Sequence, residues 1–162
     1  MIKRFILLPI LFLSGCSFLT IDYSDYHVEV GPGKVAVYDL SNGANKTSEI
    51  YFESRIVKQT LGDARHLIVQ TELDGVPTPK PNNKGRVVEG LQAAKLSAGV
   101  HSLKFRWIAT APSGFKFNVP YSLVKFNFVK GKRYIVRGSG KNYRIEKIDT
   151  GKVVKATIQR GI

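Results

Sequence analysis

Side chains capable of acid–base, nucleophilic or metal chemistry are few and widely separated in this chain. The three histidines are His27, His66 and His101, and no two of them have the spacing of metal ligands. His101 has the parity of the apolar residues that follow it, which predicts a packed or strand-edge histidine, whereas His66 beside Arg65 predicts a solvated turn. No Gly-x-Ser-x-Gly nucleophile motif occurs, since Gly138-Ser139-Gly140 has the surroundings of a hairpin turn.

Carboxylate pairs of the kind that hydrolyse glycosides are equally hard to assemble. From Lys84 to the C terminus the acids are Glu89, Glu146 and Asp149, and the last two occupy outward or turn positions. Gly31-Pro32-Gly33 is no phosphate-binding loop, because no helix is predicted after it. We therefore expect no catalytic residue, no metal and no cofactor, and predict that the chain is not an enzyme.

The residues best suited to bind a ligand are cations that alternate with apolar side chains. Leu103, Phe105 and Trp107 face one side of a predicted strand, and two later segments repeat this alternation. If the strands are neighbours, the opposite side forms one basic surface; the alternative is a solvated sheet face whose lysines discourage edge-to-edge aggregation. The candidate anion-binding residues are Lys104, Arg106, Lys125, Arg133, Arg137 and Arg144.

Charge is distributed unevenly along the sequence. The whole chain has a formal net charge of +13. Residues 17–83 contain six Lys/Arg against nine Asp/Glu, a net of −3, and residues 84–162 contain seventeen against three, a net of +14. An asymmetry of this size is informative about partners rather than about fold.

The N-terminal residues have the composition of an export signal that ends at the single cysteine. Lys3 and Arg4 precede an apolar run over residues 5–13, far shorter than the roughly 20 residues of a membrane-spanning helix. The sequence Leu13-Ser14-Gly15-Cys16 resembles the lipobox of bacterial lipoproteins. The resemblance implies that Cys16 receives a diacylglyceryl thioether, that residues 1–15 are removed, and that the new amino terminus is acylated with a fatty acid such as palmitate.

This resemblance also implies a location. Ser17 after the cysteine resembles the outer-membrane default of Gram-negative lipoproteins, which leaves the periplasmic or surface side open. The alternative is an ordinary cleaved signal with a coincidental cysteine, but that would leave Cys16 as a free thiol in an oxidising compartment. Residues 16–26 are predicted to be the lipidated cysteine and a short tether, and residues 27–162 one domain.

Turn residues at intervals of 8–12 and period-2 alternation predict that this domain is all-β. We expect an antiparallel β-sandwich, with a barrel as the alternative, of about seven to nine strands. Strands are predicted over 34–40, 49–58, 67–73, 101–109, 122–129, 133–137, 143–148 and 152–158. A projecting proline-rich loop is predicted over 76–85, and residues 87–95 are either a short strand or a helical turn.

Three glycine-containing motifs are similar to those of small Gram-negative lipoproteins with PEGA-like β-sandwich modules. The motifs are Leu96-x-x-Gly99-x-His101-x-Leu103, Phe128-x-x-Gly131-x-x-Tyr134-x-Val136 and Thr150-Gly151-Lys152-Val153-Val154. The similarity implies a strand at the first motif and a hairpin at each of the other two. It covers about half of the chain and carries over no catalytic residue.

The expected function is therefore that of a non-catalytic, membrane-anchored binding module. Its basic sheet face would contact an anionic lipid, lipopolysaccharide, peptidoglycan or an acidic protein. We do not expect nucleic acid as a partner, because the chain is predicted to be exported. The alternative is an accessory subunit of an envelope secretion or surface-appendage assembly, which binds through strand edges or through the loop at Pro77–Pro81.

Overall fold

A computed structural model describes residues 27–60, 62–80, 82–83, 86–87, 89–110, 116–118, 121–139, 142–154 and 156–160. These residues form strands, turns and irregular segments, and no helix. The strands are β1 (Tyr38–Asp39), β2 (Thr47–Phe52), β3 (Ser54–Val57), β4 (Ala64–Leu73), β5 (Val76–Pro77), β6 (Asn82–Asn83), β7 (Arg86–Val87), β8 (Ala93–Ser97), β9 (Gly99–Thr110), β10 (Lys116–Asn118), β11 (Ser122–Phe128), β12 (Arg133–Ser139), β13 (Asn142–Lys147), β14 (Val153–Val154) and β15 (Thr157–Arg160).

Two mostly antiparallel sheets pack face to face, so the predicted β-sandwich is confirmed, and the sheets do not close into a barrel. One sheet is six-stranded, in the order β1-β8-β2-β12-β13-β14. The other is seven-stranded, in the order β15-β11-β9-β4-β3, with β10 beside β9 and β5 beside β4. The pairings β1–β8 and β2–β12 are parallel. Nine of the described strands have four residues or more, and these correspond to the predicted seven to nine.

The chain passes from one sheet to the other at several short connections. Glu53 lies between β2 and β3, and its backbone bonds to both sheets: its N–H donates to Val136 O and its C=O accepts from Ile68 N–H, each at 2.9 Å. Ala98 joins β8 to β9, and the turn at 129–132 joins β11 to β12. These connections hold the two sheets in a fixed relation at both ends of the six-stranded sheet.

The core fills the space between the sheets. Ile50 and Val136 of the six-stranded sheet and Leu103, Phe105 and Val124 of the seven-stranded sheet are fully buried in one cluster. Because side chains alternate along a strand, the cations next to these residues point outward. The six-stranded sheet also buries part of its outer face, where Tyr51, Ala93 and Ile135 are covered by Val30, Val35 and Val37.

That second cluster explains one of the differences from the predicted strands. Residues 34–37 are not a strand; they cross the outer face of the six-stranded sheet, and only Tyr38–Asp39 pairs with β8. Turns at 41–43, 74–75, 130–132 and 149–151 lie between the predicted strands. Of the ambiguous segment over 87–95, residues 93–95 belong to β8 and Val87 ends β7, whereas residues 89–92 lie in no named strand.

Three further predictions need correction. The predicted loop over 76–85 is partly paired. Strand β5 pairs antiparallel with the end of β4, β6 pairs with β7, and the buried Thr78 hydroxyl donates a hydrogen bond to Gln70 O. The turn at Gly131 does not form a hairpin, because β11 and β12 belong to different sheets. The predicted strand over 152–158 is divided, with β14 in one sheet and β15 in the other. The hairpin at the third motif, β13–β14, is confirmed.

Candidate functional site

The six predicted anion-binding residues all project outward, but the structure divides them between the two sheets. Lys104, Arg106 and Lys125 lie on β9 and β11, which are neighbours in the seven-stranded sheet. The remaining three lie on β12 and β13 of the six-stranded sheet, where Arg137 and Arg144 are directly opposite each other. The outer faces of a sandwich point away from each other. The strands are therefore neighbours within each group of three cations, but the six cations do not form one basic surface.

Two cations of the seven-stranded sheet are engaged by acids of the chain. Lys104 Nζ lies 2.8 Å from a Glu72 carboxylate oxygen, and Arg106 pairs with Glu89. Both side chains are largely covered, with 24% and 17% of their surface exposed. The ring of Tyr121 covers them further, with its centroid 4.9 Å from the Lys104 ammonium and 5.6 Å from the Arg106 guanidinium. Little of their charge is left for a ligand.

On the six-stranded sheet, Arg137 lies at the centre of a chain of charges. It donates to Glu53 at 3.0 Å and to Glu146 at 2.9 Å, and Arg144 also pairs with Glu146. The hydrogen bond and then the charge of Arg144, followed by the charge of Arg137, lower the pKa of Glu146. The Glu53 carboxylate also accepts from the Gly138 N–H at 3.1 Å. This network links the Glu53 connection between the sheets to β12 and β13, so its arginines stabilise the fold.

The last member of this group is paired at the other end of β12. Arg133 donates to Asp149 at 2.6 Å, and this hydrogen bond raises the pKa of Arg133. The pairs Lys104–Glu72 and Arg137–Glu53 join the basic part of the sequence to its acidic part. The division of charge along the sequence is therefore not a division in space.

Lys125 is the exception among the six. It is exposed, and no carboxylate of the described residues pairs with it. It lies opposite Ser102, close to the end of the sandwich at which the chain crosses between sheets at Ala98 and at Gly131. Three further exposed lysines of this end, Lys46, Lys130 and Lys132, are not among the six predicted residues, because they lie outside the alternating strands. The signal in the sequence was the pair of lysines on either side of Gly131.

We call this end the lysine end and define it by Lys46, Val100, Lys125, Val129, Lys130 and Lys132. Backbone hydrogen bonds bring its segments together: Ala98 N–H donates to Lys46 O at 2.7 Å and Gly131 N–H donates to Thr47 O at 2.8 Å. All six residues are exposed, including the two valines, at 58% for Val100 and 48% for Val129. In the described part of the chain, none of the four lysines has a carboxylate partner.

His101 is half-buried on β9, as its parity predicted, and it belongs to a polar cluster beside the lysine end. Its Nδ1 lies 2.6 Å from Asp74 Oδ2, and its Nε2 lies 3.0 Å from both Ser97 Oγ and Ser97 O. The arrangement of Asp74, His101 and Ser97 resembles a catalytic triad. However, the Ala98 N–H that follows the serine is already donated to Lys46 O, so it is not free to stabilise an oxyanion. The cluster joins the turn after β4 to the connection between β8 and β9.

His66 does not lie in a solvated turn, contrary to the prediction. It is on β4, with its ring edge-on to Trp107 at 4.9 Å between centroids. Burial, which penalises the charged imidazolium, lowers the pKa of His66, and the charge of Arg55 lowers it further. The sequence alternation missed this because β4 is packed on both faces.

An open cleft of about 580 Å³ lies at the opposite end, between the segment before β1 and the β3 edge of the seven-stranded sheet. It is lined by Val30, Glu53, Arg55, Ile56 and Arg137, among others, and Ile56 is 44% exposed. The described chain enters beside this cleft, because His27 exchanges two backbone–side-chain hydrogen bonds with Gln92, each at 2.9 Å.

The predicted signal peptide over 1–15 and the predicted lipidated Cys16 with its tether over 16–26 lie outside the described residues. The described segments contain no apolar helix of membrane-spanning length. Within them, no three histidine, aspartate or glutamate side chains gather in a way that could hold a metal ion. Comparisons with protein-family models, with curated proteins and with solved structures found no match for this chain.

Proposed function

We propose that the chain is a lipid-anchored envelope protein without catalytic activity, attached through Cys16 to the outer membrane of a Gram-negative bacterium. In this proposal its β-sandwich binds an anionic envelope component through electrostatic attraction. The lipobox-like Leu13-Ser14-Gly15-Cys16 supports the anchor. Several acyl chains, at about 0.8 kcal/mol per buried CH2, exceed what stable membrane attachment requires.

The proposed binding of an anionic component rests on one observation: the exposed lysines of the lysine end have no carboxylate partners among the described residues. The described acids of the neighbouring loops are already used: Asp74 by His101 and Ser102, and Asp149 by Arg133. An unneutralised cluster of ammonium groups attracts phosphates and carboxylates over about one Debye length. The predicted face on β9, β12 and β13 contributes less, because its cations are bound internally.

The experiment measures binding of the unlipidated mature chain, which begins at residue 16 and carries Cys16→Ser. Anionic vesicles, lipopolysaccharide and purified peptidoglycan are tested separately as the salt concentration rises from about 0.01 M to about 1 M, where the Debye length falls from about 30 Å to about 3 Å. We expect binding to at least one of them, with an affinity that falls steeply with salt. Binding that does not respond to salt, or no binding to any of the three, would refute the electrostatic proposal.

A second candidate is an accessory subunit that binds a partner protein beside β3. The specific observation is the cleft of about 580 Å³, which runs along the edge strand and exposes Ile56. An extended segment of a partner could add to the edge of β3, with side chains in the cleft. Copurification of a stoichiometric partner that is lost in Ile56→Lys and retained after Lys130→Gln would favour this candidate over the first.

A further inference from the structure

We infer that the lysine end docks on an anionic lipid bilayer, with Val100 and Val129 entering the headgroup region and the lysines contacting phosphates. This inference rests on the proposed function and deepens it by naming one surface and one class of partner. Exposed apolar side chains beside several ammonium groups are the composition of interfacial membrane-binding surfaces. Polyanions without an apolar phase, such as peptidoglycan, would leave the two valines without a role.

Three side chains of this end, those of Val100, Lys125 and Val129, share the outward direction of the seven-stranded sheet. Val100 and Lys125 are on β9 and β11, at positions that face outward from the seven-stranded sheet, since their neighbours Val124 and Phe126 are buried. Asn127 lies directly opposite Val100, and Val129 has the same outward parity as Asn127. Lys125 and the two valines therefore share one face, Lys130 and Lys132 lie in the turn that adjoins it, and Lys46 is held nearby by the hydrogen bond from the Ala98 N–H.

The turn at 129–132 is also held by packing and hydrogen bonds before any partner binds. The rings of Phe126, Phe128 and Tyr134 pack edge-to-face, with centroids 4.8 to 5.4 Å apart, directly behind the turn at 129–132. The Val129 N–H donates to the Tyr134 hydroxyl at 3.2 Å, and the Lys132 N–H donates to Val129 O at 3.1 Å. A preformed turn loses little conformational entropy on binding, which favours affinity.

The predicted anchor is compatible with docking on the membrane that holds it. The described chain enters at Gln92, and β8 then spans Ala93–Ser97 to reach the lysine end, a distance of about 17 Å at 3.4 Å per residue. The eleven residues 16–26, which precede His27, reach at most about 40 Å. The domain can therefore lie along the bilayer with its lysine end in contact.

The test compares two charge-matched triple variants of the unlipidated mature chain. The first is Lys46→Gln, Lys130→Gln and Lys132→Gln; the control is Lys34→Gln, Lys58→Gln and Lys80→Gln, which are exposed residues away from the lysine end. Binding is measured by cosedimentation with vesicles of phosphatidylcholine and phosphatidylglycerol in a ratio of two to one, and with vesicles of phosphatidylcholine alone. Circular dichroism and the thermal midpoint establish that each variant is folded.

We expect the chain to bind the mixed vesicles and not the neutral ones. A lysine near an anionic bilayer contributes about fivefold in affinity, so the first triple variant should lose on the order of a hundredfold. The control should lose less than about threefold. Val100→Ser with Val129→Ser should weaken binding by about tenfold while the salt dependence stays that of the unsubstituted chain.

Equal losses in the two triple variants would overturn the inference, because binding would then follow net charge and not this surface. Salt-dependent binding to peptidoglycan, lipopolysaccharide or an acidic protein without binding to the mixed vesicles would also overturn it, while the proposed function would stand. No binding to any anionic surface would refute both.

Discussion

Glu53→Gln is the substitution that separates a structural from a ligand-binding role for the outward arginines. The Glu53 side chain is 13% exposed and accepts hydrogen bonds from Arg137 at 3.0 Å and from Gly138 N–H at 3.1 Å. A hydrogen bond to a charged group contributes about 1.5–3 kcal/mol. The amide of glutamine retains one acceptor, and Arg137 is 38% exposed and keeps Glu146, so solvent screening reduces the loss. We expect the free energy of unfolding to fall by about 2 kcal/mol.

Urea unfolding followed by circular dichroism measures this change, provided that the slope with denaturant stays constant. Asp149→Asn is the matched control, because its pair with Arg133 is 36% and 43% exposed and should contribute clearly less to the free energy of unfolding than the Glu53 hydrogen bonds. Arg137→Gln should also destabilise the fold, yet leave vesicle binding within about twofold at a temperature where the variant is folded. A loss below about 0.5 kcal/mol for Glu53→Gln, or a loss of binding without loss of stability for Arg137→Gln, would refute the structural role.

Three other predictions concern the backbone and the titratable groups. Gly138→Ala should prevent folding or lower the free energy of unfolding in urea by more than about 3 kcal/mol, because the added Cβ would lie 1.9 Å from a backbone oxygen at a residue with φ +141°. Gly131→Ala is the control and should cost about 1 kcal/mol, because a Cβ there, at φ +70°, would have no atom within 4 Å. Equal costs for the two substitutions would contradict this reasoning. Because the pKa of His66 is lowered in the fold, the free energy of unfolding should decrease as pH falls below about 6.5. Trp107 fluorescence should titrate with a midpoint below that pH, since the two rings are in contact. His66→Gln should abolish this transition; if the transition persists in the variant, it belongs to another group. Hydrogen bonds from the Ser41 side chain and backbone lower the pKa of Asp39 from 3.8 to about 2. The stability that this carboxylate contributes should therefore be present above pH 4 and lost toward pH 2. In Asp39→Asn the free energy of unfolding should depend less on pH across that window, and an unchanged pH dependence would contradict the assignment.

Much of the architecture follows from local sequence signals. Alternation over Leu103–Trp107 and over Val124–Phe128 places the core residues correctly, because each of these strands has one buried and one outward face. The same signal fails at residues 34–37, where valines cover a sheet face without joining a sheet. It also cannot distinguish a hairpin from a connection between sheets: Gly131 forms the same tight turn in either case, and only long-range pairing decides.

The candidate site was predictable in part. The outward direction of Lys104, Arg133 and Arg137 follows from period 2, but their neutralisation depends on Glu72, Asp149 and Glu53, of which two are far away in sequence. Charge counted along a chain overstates the charge available at its surface when acids of one segment fold onto bases of another. The lysine end is assembled from three separate segments, so no window of the sequence contains it.

The lipid attachment proposed at Cys16 would determine where the domain works and which surfaces it meets, and the intact mass of the protein extracted from membranes measures this attachment most directly. We expect a chain that begins at residue 16 and carries the added mass of a diacylglyceryl group and an amide-linked fatty acid. Cys16→Ser should give the full chain, uncleaved and without that mass. A membrane-extracted protein that is uncleaved and unmodified, or one that is cleaved elsewhere without lipid, would contradict the lipid anchor.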